Sequence, residues 1–578
     1  MGANRDFAAL LYEMADILDM RKVQWKPQAY RKAARSLEGM ERDIAQIYQD
    51  AGRRGLLEVP GIGESIADHI VEWLKTGKVQ KFEGWRAAAP KGAAQLLQIE
   101  GLGPQKIKFL SEKLGIDSIK KLQAAAKKGK LRDLEGFGLR TEQNILQAVA
   151  AHSRYQGRLP LGIVLPIAED IIHYLKQKTK LKTIEYGGSL RRMRDTIGDI
   201  DILAVTQDPK TLMQAFTGMP DVARILASGA TKSTVVLRQG IQVDIRALPE
   251  ESYGAAFVYF TGSKDHNIQL RNIAIQKGYK LSEYGLFRKR DGKLVPAPDE
   301  NAIYRRLGLL YIPPELREAR GEIEAAQRGK LPSLLAQEDI RGDLHIHTTF
   351  SDGAIPVDGM VKAAKDLGYE YIAITDHSPN VAVVHGLGIE ELHAQWKEID
   401  RAAERHDIIV LKGAEVDILK NGRLDYPEEI LKQLAITVCS VHTFFKMPEK
   451  EMTERICTAL QNPYLDIWGH PSARRIGIRE PITVNWKKVF RTAADHGKVL
   501  EINSQIPRMD LHDAHILAAK AEGAKFCIDT DSHSIAQLTA LRYGIGQARR
   551  GWLGKDDVVN TLPLTQLRKI FSRIPETV

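Results

Sequence analysis

The chain has only three cysteines in 578 residues, Cys439, Cys457 and Cys527. They are too few and too scattered for a disulfide framework or a cysteine-based zinc cluster, so each reads as an apolar core residue. Also missing is any run of about eighteen apolar residues, so no membrane-spanning helix is expected. The opening, MGANRDFAALLYEMADIL, reads as an amphipathic helix and not as a secretory signal. The expected compartment is the cytoplasm. A composition of 43% hydrophobic and 27% charged residues is that of a globular protein, and the length exceeds what one core organises, so several domains are expected.

Histidine is scarce before residue 341, with four of the sixteen, while twelve follow. Charge divides at the same place. The first 340 residues carry 53 basic and 41 acidic residues, against 30 and 32 from Arg341 onward. A basic first part suits a chain that tracks a phosphate backbone, and a histidine-rich second part points to separate chemistry.

The run GGSLRRMRDTIGDIDI, residues 187–202, is followed about forty residues later by QVDIRAL. Asp199 and Asp201 flank one apolar residue in the β-prone DIDILAV, and a strand's period of two puts both carboxylates on one face. Asp244 sits in a similar alternation that suits a neighbouring strand. Three such carboxylates can hold two Mg²⁺ ions about 3.5–4 Å apart for an in-line phosphoryl displacement. Gly187, Gly188 and Ser189 supply a turn whose N–H groups and hydroxyl can meet a triphosphate, and Arg192 adds a planar fork. A lone GGS or D-x-D is most often an ordinary turn or a solvated strand. The combination is far more restrictive, and it resembles the palm of the family X DNA polymerases, the DNA polymerase beta-like enzymes.

Three segments repeat one pattern: VPGIGESIADHI with Gly61 and Gly63, IEGLGPQKIKFL with Gly101, Gly103 and Lys106, and LEGFGLRTEQNI with Gly136 and Gly138. The glycines allow a tight link between helices, and the second helix opens with free N–H groups that can bind a backbone phosphate without reading bases. One copy alone would read as a helix end and a turn. Three in a basic region resemble the helix-hairpin-helix motif, although the third lacks the basic pattern of the second and suits a structural role.

The stretch from Ser252 to Phe287 closely resembles the family X thumb. That resemblance places Tyr259, Phe260 and Gly262 beside the sugar of the incoming nucleotide, Asn267 at the minor-groove edge and Arg271 by the template. Lys264 replaces the acidic residue common in the eukaryotic members, and a cation there is expected to strengthen triphosphate binding. WKPQAYRKAARSL resembles the 5′-phosphate-binding face of the beta-like lyase domain, with Lys26 and Tyr30 as candidate contacts. Lyase chemistry needs a lysine to form a Schiff base. The aligned positions here are His69 and Ser65, so a beta-type lyase is not expected; Lys75 or Lys78 would substitute only with the helix rotated or the substrate shifted.

Beyond residue 341 a series of short apolar runs each ends in a histidine or an acid, with helix-like stretches between most of them, as in a parallel α/β barrel whose site lies at the carboxyl ends of its strands. His345, His347, Asp352, His377, Glu415, His442, His470, Asp531 and His533 give nine N and O ligands, enough for two or three ions such as Zn²⁺, Mn²⁺ or Fe²⁺. This resembles the PHP domain, the polymerase and histidinol phosphatase fold. His385, His393, His406, His496, His512 and His515 fall outside these runs and read as surface or capping residues.

The expected architecture is therefore multidomain α and α/β: a lyase-like helical domain (1–88), a fingers-like helical domain (89–157), a nucleotidyltransferase palm (158–250), a thumb (251–318), a linker (319–340) and a distorted TIM-like PHP barrel (341–578). The order resembles the bacterial family X enzymes. It implies a monomeric cytoplasmic polymerase that uses dNTPs to fill short gaps in primed DNA during base excision repair. Asp244 would help activate the primer 3′-hydroxyl, and the barrel would act, with Mn²⁺ or Zn²⁺, as a 3′-5′ exonuclease with related 3′-phosphatase or AP endonuclease processing. A template-independent nucleotidyltransferase and a DNA-end-binding scaffold with weak catalysis are the competing readings.

Overall fold

Apolar residues at helical spacing dominate the first 154 residues and produce two helical modules. In the computed structural model all residues are described except 1, 2, 39, 41, 88, 98, 100, 101, 155, 156, 382, 383, 577 and 578; side chains of 5, 38, 94, 147 and 150–154 are also outside the description. Gly101, expected to contact DNA, therefore lies outside the described residues. Helices Ala3–Met20, Lys26–Glu38, Ile44–Leu57, Glu64–Thr76 and Gln80–Ala87 bury Phe7, Leu11, Leu37, Ile66, Ile70 and Phe82 in one core. Helices Ala93–Leu96, Pro104–Leu114, Ile119–Lys127 and Gly138–Arg154 pack around Leu96, Ile107, Leu110, Leu122 and Ile145. Met20, the last residue of the first helix, is buried in this second core and so joins the two modules.

The palm is a five-stranded sheet in the order Thr183–Tyr186, Asp199–Val205, Gln242–Leu248, Lys232–Leu237, Val222–Ser228, backed by helices Leu161–Lys178 and Pro209–Thr217. Asp199–Val205 and Gln242–Leu248 run parallel, in the register that sets Asp201 opposite Asp244. The thumb follows with helices Tyr253–Thr261, Lys264–Gln276 and Glu300–Arg306 and a small three-stranded antiparallel sheet.

The segment expected to be a linker is built into both of its neighbours. Helix Glu322–Gln327 turns Ile323 and Ala326, three residues apart and so on one face, into the thumb core. Leu335 enters the barrel core. Prolines and charges signalled a tether; the few apolar residues between them decided otherwise.

The carboxy-terminal sheet has seven parallel strands in sequence order: Gly342–Ile346, Tyr371–Ile374, Ile409–Asp417, Ile436–Ser440, Ile467–Trp468, Val499–Asn503 and Lys525–Asp529. A parallel bridge from Ile346 to Ser532 brings the last strand back to the first, giving a nearly closed barrel, as expected. The palm rests directly on it. A Cβ at Gly162 would sit 2.4 Å from Ile506, so only glycine admits this approach. Gln547 Nε2 donates to the Met193 carbonyl at 3.0 Å. All three cysteines are buried. Among the described residues no helix is long and apolar enough to cross a membrane.

Candidate active sites

The palm cluster is assembled by strand register. Parallel pairing brings Asp201 and Asp244 side by side, with Asp199 at the exposed start of the same strand. The turn Gly188–Arg191 folds over them, its Gly187 N–H donating to the Asp201 carbonyl at 2.8 Å. Gly188 has φ +63° and a Cβ there would lie 2.7 Å from Asp201 Oδ2, so the turn closes on the carboxylate only with glycine. Desolvation, with the charges of Asp199 and Asp244 beside it, pushes the Asp201 carboxyl up to about 6. A desolvated carboxyl with two further carboxylates beside it fits a site for divalent cations, whose charge removes that penalty. Asp244 is held by the Thr234 hydroxyl at 2.5 Å and Gln242 Nε2 at 2.8 Å, with Lys232 Nζ 3.7 Å away. Sequence reasoning missed these three residues; Thr234 and Lys232 come from the neighbouring strand, whereas Gln242 shares the strand face of Asp244 by the period of two, which was the available signal.

Ser189 lies half-buried in the turn. Arg192, expected on the triphosphate, is engaged by the protein: its Nε lies 3.0 Å from Glu318 and its Nη1 donates to the Thr261 carbonyl at 2.5 Å. A Cβ on Gly262 would approach Arg192 Nη1 at 3.0 Å, so this guanidinium sits against the thumb turn, where a phosphate would compete with Glu318. Arg191 makes a fork with buried Glu300 and stacks 3.7 Å over the Phe257 ring. Tyr259 is partly exposed, Phe260 lies under Arg246, and Asn267 Nδ2 donates to the Tyr259 carbonyl at 2.7 Å. Lys264 is exposed in the first turn of its helix, and Arg271 Nε reaches the Asn267 carbonyl one turn below.

In the amino-terminal modules Gly63 and Gly103 are N-cap residues without a capping side chain, which leaves first-turn N–H groups open to an outside acceptor. Gly61 and Gly136 have positive φ at the links, and Gly138 opens the third helix. Lys106 lies over the Phe137 ring of the third hairpin. Lys26 is exposed, but Tyr30 is a correction: it is only 5% exposed, and its hydroxyl sits 3.3 Å from His69 Nδ1 inside the aromatic core of Phe82 and Trp85. A phenol whose pKa burial pushes up to about 12 belongs to that core and cannot also meet a DNA phosphate. His69 is likewise buried, while Lys75 and Lys78 are solvated beyond it.

The barrel draws all nine of the expected ligands to one end. His347 Nε2 lies 3.1 Å from His345 Nε2 and 3.2 Å from Asp531 Oδ1. Glu415 sits at the centre, 2.9 Å from His377, 2.8 Å from His470 and 3.2 Å from His442. Asp352 is 3.2 Å from His533. Three groups each bring donor atoms within 4.8 Å of one another: His347, Asp352, His377 and His533; His345, His347 and Asp531; and His377, Glu415 and His442. The donor set fits divalent metals, because His347 Nδ1 and His470 Nδ1 are buried without a hydrogen-bond partner and His377 and His442 converge with them on one carboxylate. Burial, reinforced by His533 and His377, holds His347 at about 3, and burial with Arg508 nearby does the same for His470; both imidazoles stay neutral, with lone pairs available.

Around this cluster stand groups the sequence did not single out. Glu501 orients His345 through Nδ1 at 2.6 Å, Asp417 faces His442 at 3.4 Å, and Asn503 and Arg508 reach Asp531 at 3.1 and 3.2 Å. The period-two spacing of Glu415 with Asp417 and of Glu501 with Asn503 was the available signal. His512 caps helix Asp513–Ala521, as expected of a capping residue. His515 is a correction, since it stacks 4.2 Å from Trp486 in the barrel wall.

Comparison with known proteins finds four family matches along the chain. Residues 2–79 match a helix-hairpin-helix domain, 93–151 a SAM-like helix-hairpin-helix tandem, 256–318 the DNA polymerase beta thumb and 343–505 the PHP domain. The chain is 35% identical over 573 residues to DNA polymerase/3′-5′ exonuclease PolX of Bacillus subtilis (strain 168), an alignment covering 98% of this chain and 99% of that protein. It is 29% identical over 232 residues to a probable phosphatase of Thermoanaerobacter sp. (strain X514), covering 38% of this chain and 89% of the relative. A probable phosphatase of Caldanaerobacter subterraneus subsp. tengcongensis is 30% identical over 207 residues, covering 33% and 75%. A full-length match of this kind, on a chain whose palm acids and barrel ligands each converge, establishes that the chain belongs to the family X DNA polymerases with a carboxy-terminal PHP domain.

Proposed function

We propose that this chain is a DNA-templated DNA polymerase that fills short gaps in base excision repair, with a PHP barrel that removes nucleotides from 3′ ends and processes abasic or 3′-phosphate ends. The observation that carries the reading is the presence of two separate convergent clusters on one chain, an all-carboxylate one in the palm and a histidine-rich one at the barrel mouth.

Asp199, Asp201 and Asp244 would hold two Mg²⁺ ions, which supply charge stabilisation to both oxygens of an in-line displacement when bound. Asp244, fixed by Thr234 and Gln242, is the acid placed to draw the proton from the primer 3′-hydroxyl. Ser189 and the N–H groups of its turn meet the triphosphate, joined by Arg192 as it exchanges Glu318 for phosphate oxygens. Tyr259, Phe260 and Gly262 line the sugar side, with Asn267 and Arg271 toward the minor groove and template. Lys26 and the glycine-capped helices hold the DNA backbone. Lys264 adds a cation for the incoming nucleotide. In the barrel the nine ligands would hold two or three Mn²⁺ or Zn²⁺ ions, which supply an activated water. The thumb and the repeated hairpins favour templated synthesis over template-independent transfer, and the complete ligand sets argue against an inert scaffold.

A metal-by-substrate panel on gapped DNA tests this. Asp199→Ala is expected to lose extension and keep 3′-end hydrolysis, and His347→Ala the reverse; joint loss in either variant would overturn the two-site reading. Extension that ignores the templating base would favour the template-independent alternative.

A further inference from the structure

A recess of about 400 Å³ lies at the seam where the palm meets the barrel, outside both catalytic clusters. Arg158, Arg194 and Thr196 line it from the palm, and Ser472, Arg474 and His515 from the barrel. Its volume falls at the small end of the roughly 300–1,000 Å³ typical of small-molecule sites.

Positive charge around it exceeds the carboxylates that serve it. Arg194 reaches Glu318 at 3.4 Å, but Glu318 is shared with Arg192 at 3.0 Å and Arg550 at 2.9 Å. Arg158 is held through the neutral hydroxyl and carbonyl of Thr196. Arg474, 6% exposed, takes Asp195 at 2.9 Å. Arg479 and Glu480, which also line the recess, bring opposite charges. Two buried polar atoms of the lining, Ser472 Oγ and His515 Nδ1, have no hydrogen-bond partner. Ser472 is 1% exposed, so bulk water does not serve it. Buried polar atoms left in this way call for an occupant that can hydrogen-bond to them.

We propose that this recess binds a small phosphate anion, either pyrophosphate or the phosphate tail of a mononucleotide. Guanidinium forks match phosphate oxygens in pairs, and the serine hydroxyl and imidazole complete a polar cradle. A DNA backbone needs a continuous track, whereas this site is a recess walled by two domains and partly lined by buried residues. In the palm wall Arg194 and Thr196 belong to the segment between the Gly188–Arg191 turn and Asp199, and Arg474 follows His470 by four residues. An occupant therefore touches the chain segments that carry both clusters. The inference does not depend on the activity proposed above.

The test uses the full chain in EDTA, where divalent ions cannot support anion binding at the two clusters. Isothermal titration with pyrophosphate, with dAMP and with a short single-stranded oligonucleotide is compared between wild type and Arg158→Gln/Arg194→Gln, with Arg194→Glu as a second variant. Pyrophosphate or dAMP is expected to bind the wild type at one site and to bind each variant at least about tenfold more weakly, the size of a lost charge-assisted contact. In the wild type the small anion should also slow hydrogen exchange in peptides containing Thr196 and Ser472. Retained primer extension checks that the variants are folded. Equal affinity in wild type and variants, protection elsewhere, or binding of the oligonucleotide alone would each overturn the proposal.

Discussion

At the scale of the residue, Asp201 carries the clearest electrostatic signature. Its folded pKa of about 6 exceeds the ordinary carboxylate value, so between about pH 4 and 6 the folded chain holds more protons than the unfolded one. Stability of the metal-free protein therefore falls as pH rises through that window and stays reduced above it. Asp201→Asn is expected to melt at a higher temperature than wild type in EDTA at pH 7.5, while primer extension with Mg²⁺ drops by more than about 100-fold. An equal or lower melting temperature would show that neither desolvation nor the neighbouring acids penalise the ionised carboxylate. The same proton competes with metal, so the Mg²⁺ concentration for half-maximal extension should rise below about pH 6. Lys264, exposed at its helix start, should matter to nucleotide capture and not to chemistry. Lys264→Ala is expected to raise the dNTP KM several-fold at constant kcat, and steady-state kinetics with unchanged KM would remove it from the site.

Among elements, the third hairpin shows how a repeat that looks like a DNA contact can also be a structural clasp. Glu142, fully buried on helix Gly138–Arg154, accepts the N–H groups of Leu131 and Arg132 at 2.9 and 3.1 Å and pairs with the Arg132 guanidinium. Those contacts tie the loop ahead of Gly136 to the helix after it. Removing a charged acceptor from buried donors costs about 2 kcal/mol, so Glu142→Ala should speed amide exchange at Leu131 and Arg132 by about thirtyfold. Unchanged exchange would mean the clasp is redundant. The repeated glycines were plain in the sequence. Glu142 was not, because an acid three to six residues into a helix usually reads as solvated.

Across the whole molecule, palm, thumb and barrel meet at one arginine. Arg550 of the barrel, 2% exposed, donates to the Arg192 carbonyl and bridges Glu318 and Asp513. Arg550→Ala would leave buried Asp513 and half-buried Glu318 short of a cation, a loss of about 3 kcal/mol. It should lower the first thermal transition and raise the dNTP KM, because Arg192 and its partner Glu318 lose their support from the barrel. A variant with wild-type KM would indicate that the barrel is only a passenger on the polymerase half. Helix Glu322–Gln327 makes the same point, since its apolar face packs the chain between thumb and barrel into the thumb core.

The sequence by itself determined which chemistry this protein carries. Period-two carboxylates, repeated glycine turns and histidines at the ends of apolar runs are local patterns, and local backbone geometry turns each into a strand face, a helix start or a strand end. Tertiary structure alone decided what those residues meet. Strand order set Asp201 beside Asp244 and placed Thr234 against it. Packing drew Tyr30 and His69 into a core and gave Arg192 to Glu318. Docking of palm on barrel created a basic seam from residues nearly three hundred positions apart. Such contacts depend on how separate elements pack, and no spacing along the chain encodes them.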